Sequence, residues 1–526
     1  MRVTFYGAAR EVTGSMHLLQ TKSDQILLDC GLFQGRRKET EQKNRTIPID
    51  PRDFTNMVLS HGHIDHSGRV PMLPQAGYGG RVISTRASHD VSEFLLMDAA
   101  HIQESDAHYL NYKTLRSFLN QPQNKRRGKT GGKKRPREIK KLLKKNNHRL
   151  NSELINQLIE ENDLEAVQPL FTTEEAASSL KLFDSYPYKY PVTIGRDVSV
   201  TFYDAGHILG SALSLIKVRQ DGRVYNICYT GDIGQFDLPI IEDPTLDFPI
   251  EDRELDLLIM ESTYGDRLHG QRTDLNERLC EVIVETFDRG GTVVIPSFAF
   301  GRTQELIYVL HELYKQKKVP RIPVYIDSPL ATNLTSVFGS HLEVFDREAH
   351  ETFLEQGENP FSFGQIQYVG SVNESMALMR DERPHIVIAS SGMCEAGRIL
   401  HHLRYKVHDE KNTILIVGFM AANTLGRKIQ ESGLAYEESG RTGSPPELKI
   451  LNKMYPLNAR VVKLDGFSAH ADKDELLCFV KESNLKIKKI AVVHGEETQS
   501  LALARSLEDE NFSTIVPQSG ETIQID

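Results

Sequence analysis

The chain has 526 residues, which exceeds the size of one hydrophobic core and predicts two domains or one domain with a large insertion. Its hydrophobic content of 39% and charged content of 26% are typical of soluble globular proteins, and no apolar run approaches the roughly 20 residues of a membrane span. A net charge of −9 does not by itself favour a nucleic-acid-binding protein, and the strand-like opening Val3–Tyr6 argues against a signal peptide, so we expect a cytoplasmic protein.

Two stretches of the chain look like copies of each other. Val3–Ala8 matches Val200–Ala205, and each copy continues through an apolar strand to an acidic turn, at Asp29 in the first and Asp232 in the second. An internal repeat of this kind predicts two β-rich halves packed as a sandwich with helices outside. It also predicts that the two acidic turns meet at one edge.

A short histidine-rich loop follows the first copy. It contains three histidines and one aspartate: His61, His63, Asp65 and His66. The preceding run Asn56–Ser60 is typical of a buried strand, and Arg69–Pro74 resembles the opening of a helix, because proline is tolerated in a first turn. Neutral imidazole and carboxylate are ligands that zinc prefers. The first two histidines can face one point and the aspartate with the third histidine another, so one loop could supply two neighbouring metal ions.

The next region combines a predicted helix, His89–Leu119, with a basic segment. Residues 121–150 contain thirteen lysines and arginines against the single acidic residue Glu138. Such a run is either a solvated segment or a surface that contacts phosphate groups of a nucleic acid. Helical periodicity returns at Leu154, so we interpret 121 to about 165 as an insertion.

The second copy of the repeat supplies further candidate ligands. His207 lies between glycines just past a strand, and with the first two histidines of the loop it completes a three-nitrogen set. Asp232 is the natural carboxylate to bridge two ions. Asp29 is expected to orient the site from outside by hydrogen bonding.

From Leu255 strands and helices alternate, which is typical of a parallel sheet. Strands are predicted at 257–260, 292–296, 324–327, 385–389 and 413–417, and helices at 303–317 and from 397. Two histidine turns, at His470 and His494, then return to the chemistry of the first domain. The predicted organisation is therefore a first domain of residues 1–254 and 446–526, interrupted by an inserted domain at 255–445.

The motifs resemble a known family. His-x-His-x-Asp-His is similar to the signature of the metallo-β-lactamase fold. Glu261, His470 in Phe-Ser-Ala-His and His494 in Val-His-Gly-Glu resemble the three motifs of its β-CASP branch, the nucleases of RNA processing and DNA repair. Gly7–Ser15 looks most like the group that contains the mRNA 3′-end cleavage nuclease and its bacterial and archaeal relatives. The resemblance covers nearly the whole chain apart from the basic insertion, and implies an α/β protein: a metallo-β-lactamase αββα sandwich with an inserted β-CASP α/β domain.

The resemblance also implies a zinc-dependent ribonuclease. One zinc ion would be held by His61, His63 and His207, a second by Asp65, His66 and His494, with Asp232 between them. A hydroxide bridging the ions would attack phosphorus and leave a 5′ phosphate. His470, polarised by Glu261, would protonate the leaving 3′ oxygen, and Asp65 and Asp29 complete the expected catalytic residues.

Substrate and partners follow from the same resemblance. A histidine at the position of His494 is associated with RNA rather than DNA, so single-stranded RNA is the expected substrate, with internal cleavage favoured over cleavage from an end. His and Asp ligands also accept manganese. A homodimer is compatible with the sequence, and no membrane partner is expected. The alternatives are a small-molecule hydrolase such as a thioesterase or lactonase, a DNA nuclease, and an inactive RNA-binding scaffold.

Overall fold

The computed structural model describes residues 1–35, 37–120, 139, 142–143, 150–269, 273–352, 357, 359–421, 423–464 and 466–526. Most of the basic segment 121–150 lies outside these residues, so its role stays a prediction. Among the described helices, none combines the length and the apolar character that crossing a membrane requires.

Two sheets form the first domain. The first sheet has the strand order β24-β1-β2-β3-β4-β5-β6, with strands numbered along the chain as β1 Arg2–Gly7, β2 Met16–Gln20, β3 Gln25–Leu28, β4 Asn56–Val58, β5 Val82–Thr85, β6 Phe183–Tyr186 and β24 Thr522–Gln524. The second has the order β23-β22-β12-β10-β9-β8-β7, with β7 Val192–Thr193, β8 Val198–Asp204, β9 Ala212–Gln220, β10 Arg223–Tyr229, β12 Leu257–Met260, β22 Ile490–Val492 and β23 Thr514–Ile515.

The two sheets pack face to face through apolar residues at alternate positions of their strands, and the positions between them carry apolar residues that pack on the outer faces. Leu28 of β3 and Phe202 of β8 lie in the core between the sheets, whereas their neighbours Leu27 and Tyr203 pack on the outer faces. This two-residue period is that of a pleated strand. Helices cover both outer faces, for example through Phe479 on the second sheet. The αββα sandwich predicted from the sequence is confirmed.

A third, parallel sheet forms the second domain. Its order is β15-β14-β16-β13-β17-β20, with β13 Val293–Pro296, β14 Val324–Ile326, β15 Ile366–Tyr368, β16 Ile386–Ala389, β17 Thr413–Ile416 and β20 Arg460–Lys463. Ile295 and Val294 lie in different cores on its two faces, which explains the continuous apolar runs of its strands. Two short pairs complete the strands: β11 Glu254–Leu255 with β21 Lys486–Ile487, and β18 Glu447–Ile450 with β19 Lys453–Pro456.

The α-helices are α1 Arg37–Arg45, α2 Ile64–Ser67, α3 Arg86–Asn120, α4 Ser152–Glu161, α5 Thr173–Leu180, α6 Thr273–Asp288, α7 Arg302–Lys315, α8 Pro329–Ser340, α9 Arg347–His350, α10 Val372–Met379, α11 Ile399–Lys406, α12 Leu425–Glu438, α13 Lys473–Glu482 and α14 Glu497–Asp509. Short 3₁₀ helices lie at Pro51–Asp53, Val70–Met72, Ile250–Asp252 and Leu342–Val344.

The prediction that a helix begins at Arg69 is wrong. The structure has the single turn α2 before it and only the 3₁₀ turn Val70–Met72 after it. Pro71 and Pro74 each lack a backbone N–H, so the chain cannot continue regular α-helical hydrogen bonding there.

Strand pairing bears on the predicted boundaries at 255 and 445. The strand β12 pairs with β10 and β22 in the second sheet, and β20 pairs with β17 in the third sheet. The boundaries themselves stay a prediction. The pairing indicates that the chain passes from the first domain to the second after Met260, and returns after Lys463.

Candidate metal centre

The site is built around the turn that joins β4 to α2. The Cys30 N–H, just after β3, donates to the carbonyl of His66 at 2.8 Å, which fastens the turn to the neighbouring strand. The next residue, Gly31, lies so close to the turn that a Cβ atom on it would be 1.5 Å from the Asp65 carbonyl oxygen. Only glycine allows the two segments to pack this closely, because any side chain at position 31 would collide with the backbone of the histidine loop.

Four predicted ligands form a first group: His61, His63, His207 and Asp232. His63 Nδ1 lies 3.1 Å from His61 Nε2 and 3.3 Å from His207 Nε2. Asp232 Oδ2 lies 3.5 Å from the Nε2 atoms of both His61 and His207. Three imidazole nitrogens and one carboxylate oxygen thus point to a common centre.

A second group contains Asp65, His66 and His494. His66 Nε2 lies 3.1 Å from His494 Nε2, which lies 3.7 Å from Asp65 Oδ2. The other oxygen of Asp232, Oδ1, is 3.3 Å from His66 Nε2. Asp232 therefore lies between the groups, with one oxygen toward each.

The donor atoms fit divalent metal ions. Asp232 Oδ1 is buried and has no hydrogen-bond partner among the described residues, which is costly for a carboxylate unless a cation neutralises it. Burial lowers the pKa of His61 and His207 well below the usual imidazole value and the pKa of His63 to about 4. These rings are therefore neutral near pH 7 and offer lone pairs, as metal ligands must.

Asp29 contacts the second group through His66. Its Oδ2 atom lies 2.6 Å from His66 Nδ1, and it accepts hydrogen bonds from the hydroxyls of Ser60 at 2.7 Å and Tyr229 at 2.5 Å. Its Oδ1 atom accepts the Ser60 N–H at 2.8 Å. The two acidic turns of the repeat meet at His66, which lies against both Asp29 and Asp232.

His470 borders both groups and is partly exposed. Its Nδ1 atom lies 3.1 Å from Glu261 Oε1, and its side chain is 22% exposed, whereas Glu261 is fully buried. Burial lowers the pKa of His470, but the carboxylates of Glu261 and then Asp232 outweigh this and raise it to about 9. Glu261 also lies close to Asp232 and His494, so its carboxylate borders the second group.

Sequence reasoning missed several residues that contact the centre. Tyr229 and Ser15, whose hydroxyls are 2.8 Å apart, extend the hydrogen bonds of Asp29. Thr263 Oγ1 lies 3.3 Å from His494 Nδ1, and Phe300 packs edge-on against His63 at 5.7 Å between ring centroids. Tyr229 and Ser15 belong to the repeat, but nothing in their spacing indicates that they meet.

Comparison with family models assigns three regions of the chain. The metallo-β-lactamase superfamily model matches residues 9–132, the Beta-Casp domain model matches 303–429, and the model of the Zn-dependent metallo-hydrolase RNA specificity domain matches 454–517.

Similar proteins span the whole chain. Ribonuclease TTHA0252 of Thermus thermophilus is 32% identical over the full length of both chains. Transcription termination factor FttA of Methanocaldococcus jannaschii is 29% identical and matches all of this chain and 72% of its own length. A crystal structure of a protein of unknown function from Enterococcus faecalis shares the fold, with a TM-score of 0.50, 14% identity and 99% of each chain covered.

Proposed function

Since this chain belongs to the β-CASP family of the metallo-β-lactamase superfamily, we propose that it is a metal-dependent ribonuclease that hydrolyses the phosphodiester bonds of RNA. The observation that carries the proposal is the pair of His/Asp groups that share Asp232, with the His470–Glu261 pair beside them. A relative named as a ribonuclease supports the choice of RNA.

We propose two zinc ions as the cofactor. The first would be held by His61, His63 and His207, the second by Asp65, His66 and His494, with Asp232 contributing to both. When bound, such ions lower the pKa of the attacking water and stabilise the negative charge that develops on the phosphoryl oxygens. Manganese is compatible with the same donor atoms.

His470 is the proposed general acid. Its Nδ1 atom faces Glu261, so the carboxylate orients the ring and stabilises its protonated form. The opposite ring nitrogen then donates a proton to the 3′ oxygen that leaves when the chain is cut, which gives a 5′ phosphate and a 3′ hydroxyl. Glu261 itself accepts the buried Ile233 N–H at 2.6 Å, which holds the carboxylate in place.

The expected substrate is single-stranded RNA that is cut internally during RNA processing or decay. A cytoplasmic location and a homodimer stay predictions from the sequence.

A cleavage assay tests this function. The zinc-loaded protein is incubated with a 5′-labelled single-stranded RNA and with DNA of the same sequence, beside the variants Asp65→Ala and His408→Ala. His408 is an exposed histidine of the second domain, and its substitution serves as a control for a change outside the site. We expect RNA cleavage by the wild type and by His408→Ala, and none by Asp65→Ala.

Two outcomes would contradict the proposal. Cleavage of DNA alone would assign the site to DNA. No cleavage of either strand, together with ester or thioester hydrolysis, would assign the metal centre to a small-molecule substrate.

A further inference from the structure

The parallel sheet presents one edge to the metal centre. Strands β13, β16, β17 and β20 all run parallel, so their carboxyl ends lie on the same side, here named the carboxyl edge. The loop after β13 carries Phe300, whose ring packs against His63. The loop after β20 leads to His470. In open parallel sheets, ligands bind outside the carboxyl ends of the strands.

Two phenyl rings are exposed on this edge. Phe298, in the loop after β13, is 40% exposed, and Phe419, in the loop after β17, is 56% exposed. Each of these two loops also carries a buried apolar residue, Phe300 in the first and Met420 in the second. The loops thus have apolar anchors inside, and the two exposed rings are not needed to fill the core.

The ring of Phe298 is held in place by neighbouring glycines. A Cβ atom on Gly392, after β16, would lie 2.9 Å from Phe298 Cδ2, and one on Gly418, after β17, would lie 3.7 Å from Phe298 Cε2. Larger residues at Gly392 would displace the ring. The ring therefore lies against two strand ends and keeps its remaining surface toward solvent, and Phe419 directly follows the second glycine.

The backbone of this loop is also fixed. Thr303 Oγ1 donates to the Phe298 carbonyl at 2.6 Å. Arg302 is buried, pairs with Glu305 and lies over the ring of Phe467, 5.3 Å from its centroid. The exposed ring is thus presented by a rigid support.

Phe298 lies close to the metal centre. Two residues of extended chain span at most about 7 Å, so the backbone of Phe298 is within that distance of Phe300, which touches His63. A nucleic acid strand whose phosphate reaches the metal centre can therefore place a neighbouring nucleotide against Phe298.

From this arrangement we propose that Phe298 and Phe419 form a nucleobase-stacking subsite, which takes the bases next to the scissile phosphate of single-stranded RNA. The inference rests on the proposed ribonuclease function. An uncharged aromatic face recognises any base, because every base has a π-face. Bases within a duplex have both faces covered by stacked neighbours, so the subsite selects single strands without selecting sequence.

An abasic scan tests the subsite. A set of RNAs with one cleavage site carries a single abasic residue at successive positions, and KM and kcat are measured for each with the zinc-loaded protein. Stacking by one aromatic ring corresponds to a change of about 5- to 150-fold in affinity. We expect KM to rise by this factor at one or two positions beside the cut, with kcat little changed.

The variants Phe298→Ala and Phe419→Ala should raise KM for intact RNA and no longer distinguish the abasic RNA at the corresponding position. Phe298→Tyr keeps the aromatic face and should restore the discrimination. The matched control is Phe287→Ala, which removes a 38% exposed phenyl ring from α6, away from the carboxyl edge.

The outcomes separate the two proposals. If the protein cleaves RNA but tolerates abasic residues equally at every position, or if both alanine variants keep the positional effect, the stacking subsite is wrong and the ribonuclease function stands. If the protein cleaves no RNA, the ribonuclease function fails and the subsite fails with it. A change of oligomeric state in Phe298→Ala or Phe419→Ala, with unchanged KM, would assign the rings to a contact between copies of the chain and overturn the subsite.

Discussion

Replacing Asp29 by asparagine tests whether this buried carboxylate tunes the second metal group. All four contacts of Asp29 come from groups that can donate: the Ser60 N–H and hydroxyl, the Tyr229 hydroxyl and His66 Nδ1. An amide of the same shape has one acceptor and one donor. With its oxygen at the place of Oδ2, its NH₂ group would face the Ser60 N–H, which leaves one buried mismatch worth about 1–3 kcal/mol.

The larger effect should fall on metal binding. The negative charge of Asp29 makes the His66 ring a better ligand and fixes which ring nitrogen faces the metal, and loss of such a partner typically weakens metal affinity about 10- to 100-fold. We expect Asp29→Asn to lower zinc affinity by this factor, as measured by competition with a chromophoric chelator, and to lower the urea midpoint.

A second buried aspartate serves as control. Asp252, in the 3₁₀ helix Ile250–Asp252, accepts the Tyr203 hydroxyl and pairs with Lys217, and neither contact involves a ligand candidate. Asp252→Asn should lower stability and leave zinc affinity unchanged. Equal zinc affinity in Asp29→Asn and the wild type, or an equal loss in both variants, would refute the reasoning.

Four further outcomes are expected. His470→Gln should slow RNA cleavage at least 100-fold with bound zinc unchanged in elemental analysis, and loss of zinc would make this residue a ligand instead. Gly31→Ala should prevent folding of the histidine loop, seen as insoluble or zinc-free protein, whereas the unobstructed Gly79→Ala should behave as wild type. Asp327→Ala removes the buried carboxylate that pairs with the Arg398 guanidinium at 2.5 Å and contacts His402, and should cost about 3–5 kcal/mol in urea unfolding; a smaller loss would show that the carboxylate and the guanidinium are not coupled. Deletion of residues 121–150 should weaken RNA binding and flatten its salt dependence, and an unchanged salt slope would exclude the segment from RNA contact.

The histidine loop could be predicted as a metal site because its candidate ligands are close together in the sequence. One loop carries four of the ligand candidates directly after a buried strand, so the two points that they face could be predicted although the helix predicted at Arg69 is wrong. His207 could be predicted because the first two histidines of the loop need a third nitrogen, and a histidine flanked by glycines follows a strand in the second copy of the repeat. Resemblance to a family was needed to assign roles to Glu261 and His470, because a carboxylate at a strand end and a histidine turn do not by themselves specify a function.

The remaining features depend on contacts distant in sequence. Tyr229 meets Asp29 across 200 positions, and the pattern around either residue is that of any buried strand end. Sheet membership was ambiguous for the same reason. Leu257–Met260 is as apolar as the strands of the third sheet, yet it pairs in the second sheet. Only the strands with which it pairs show whether such a strand belongs to the second or the third sheet, since parallel strands in either sheet are buried on both faces.

The order of the site residues along the chain has a consequence for biosynthesis. A ribosome delivers a chain from its amino end, and His494 follows His66 by 428 positions. Until it emerges, the second metal group lacks an imidazole, and for most of that time His470 is missing as well. Under the proposed function, a growing chain is therefore an incomplete nuclease beside the messenger that encodes it, and becomes competent to cut only after His494 has been synthesised and has reached the second metal group.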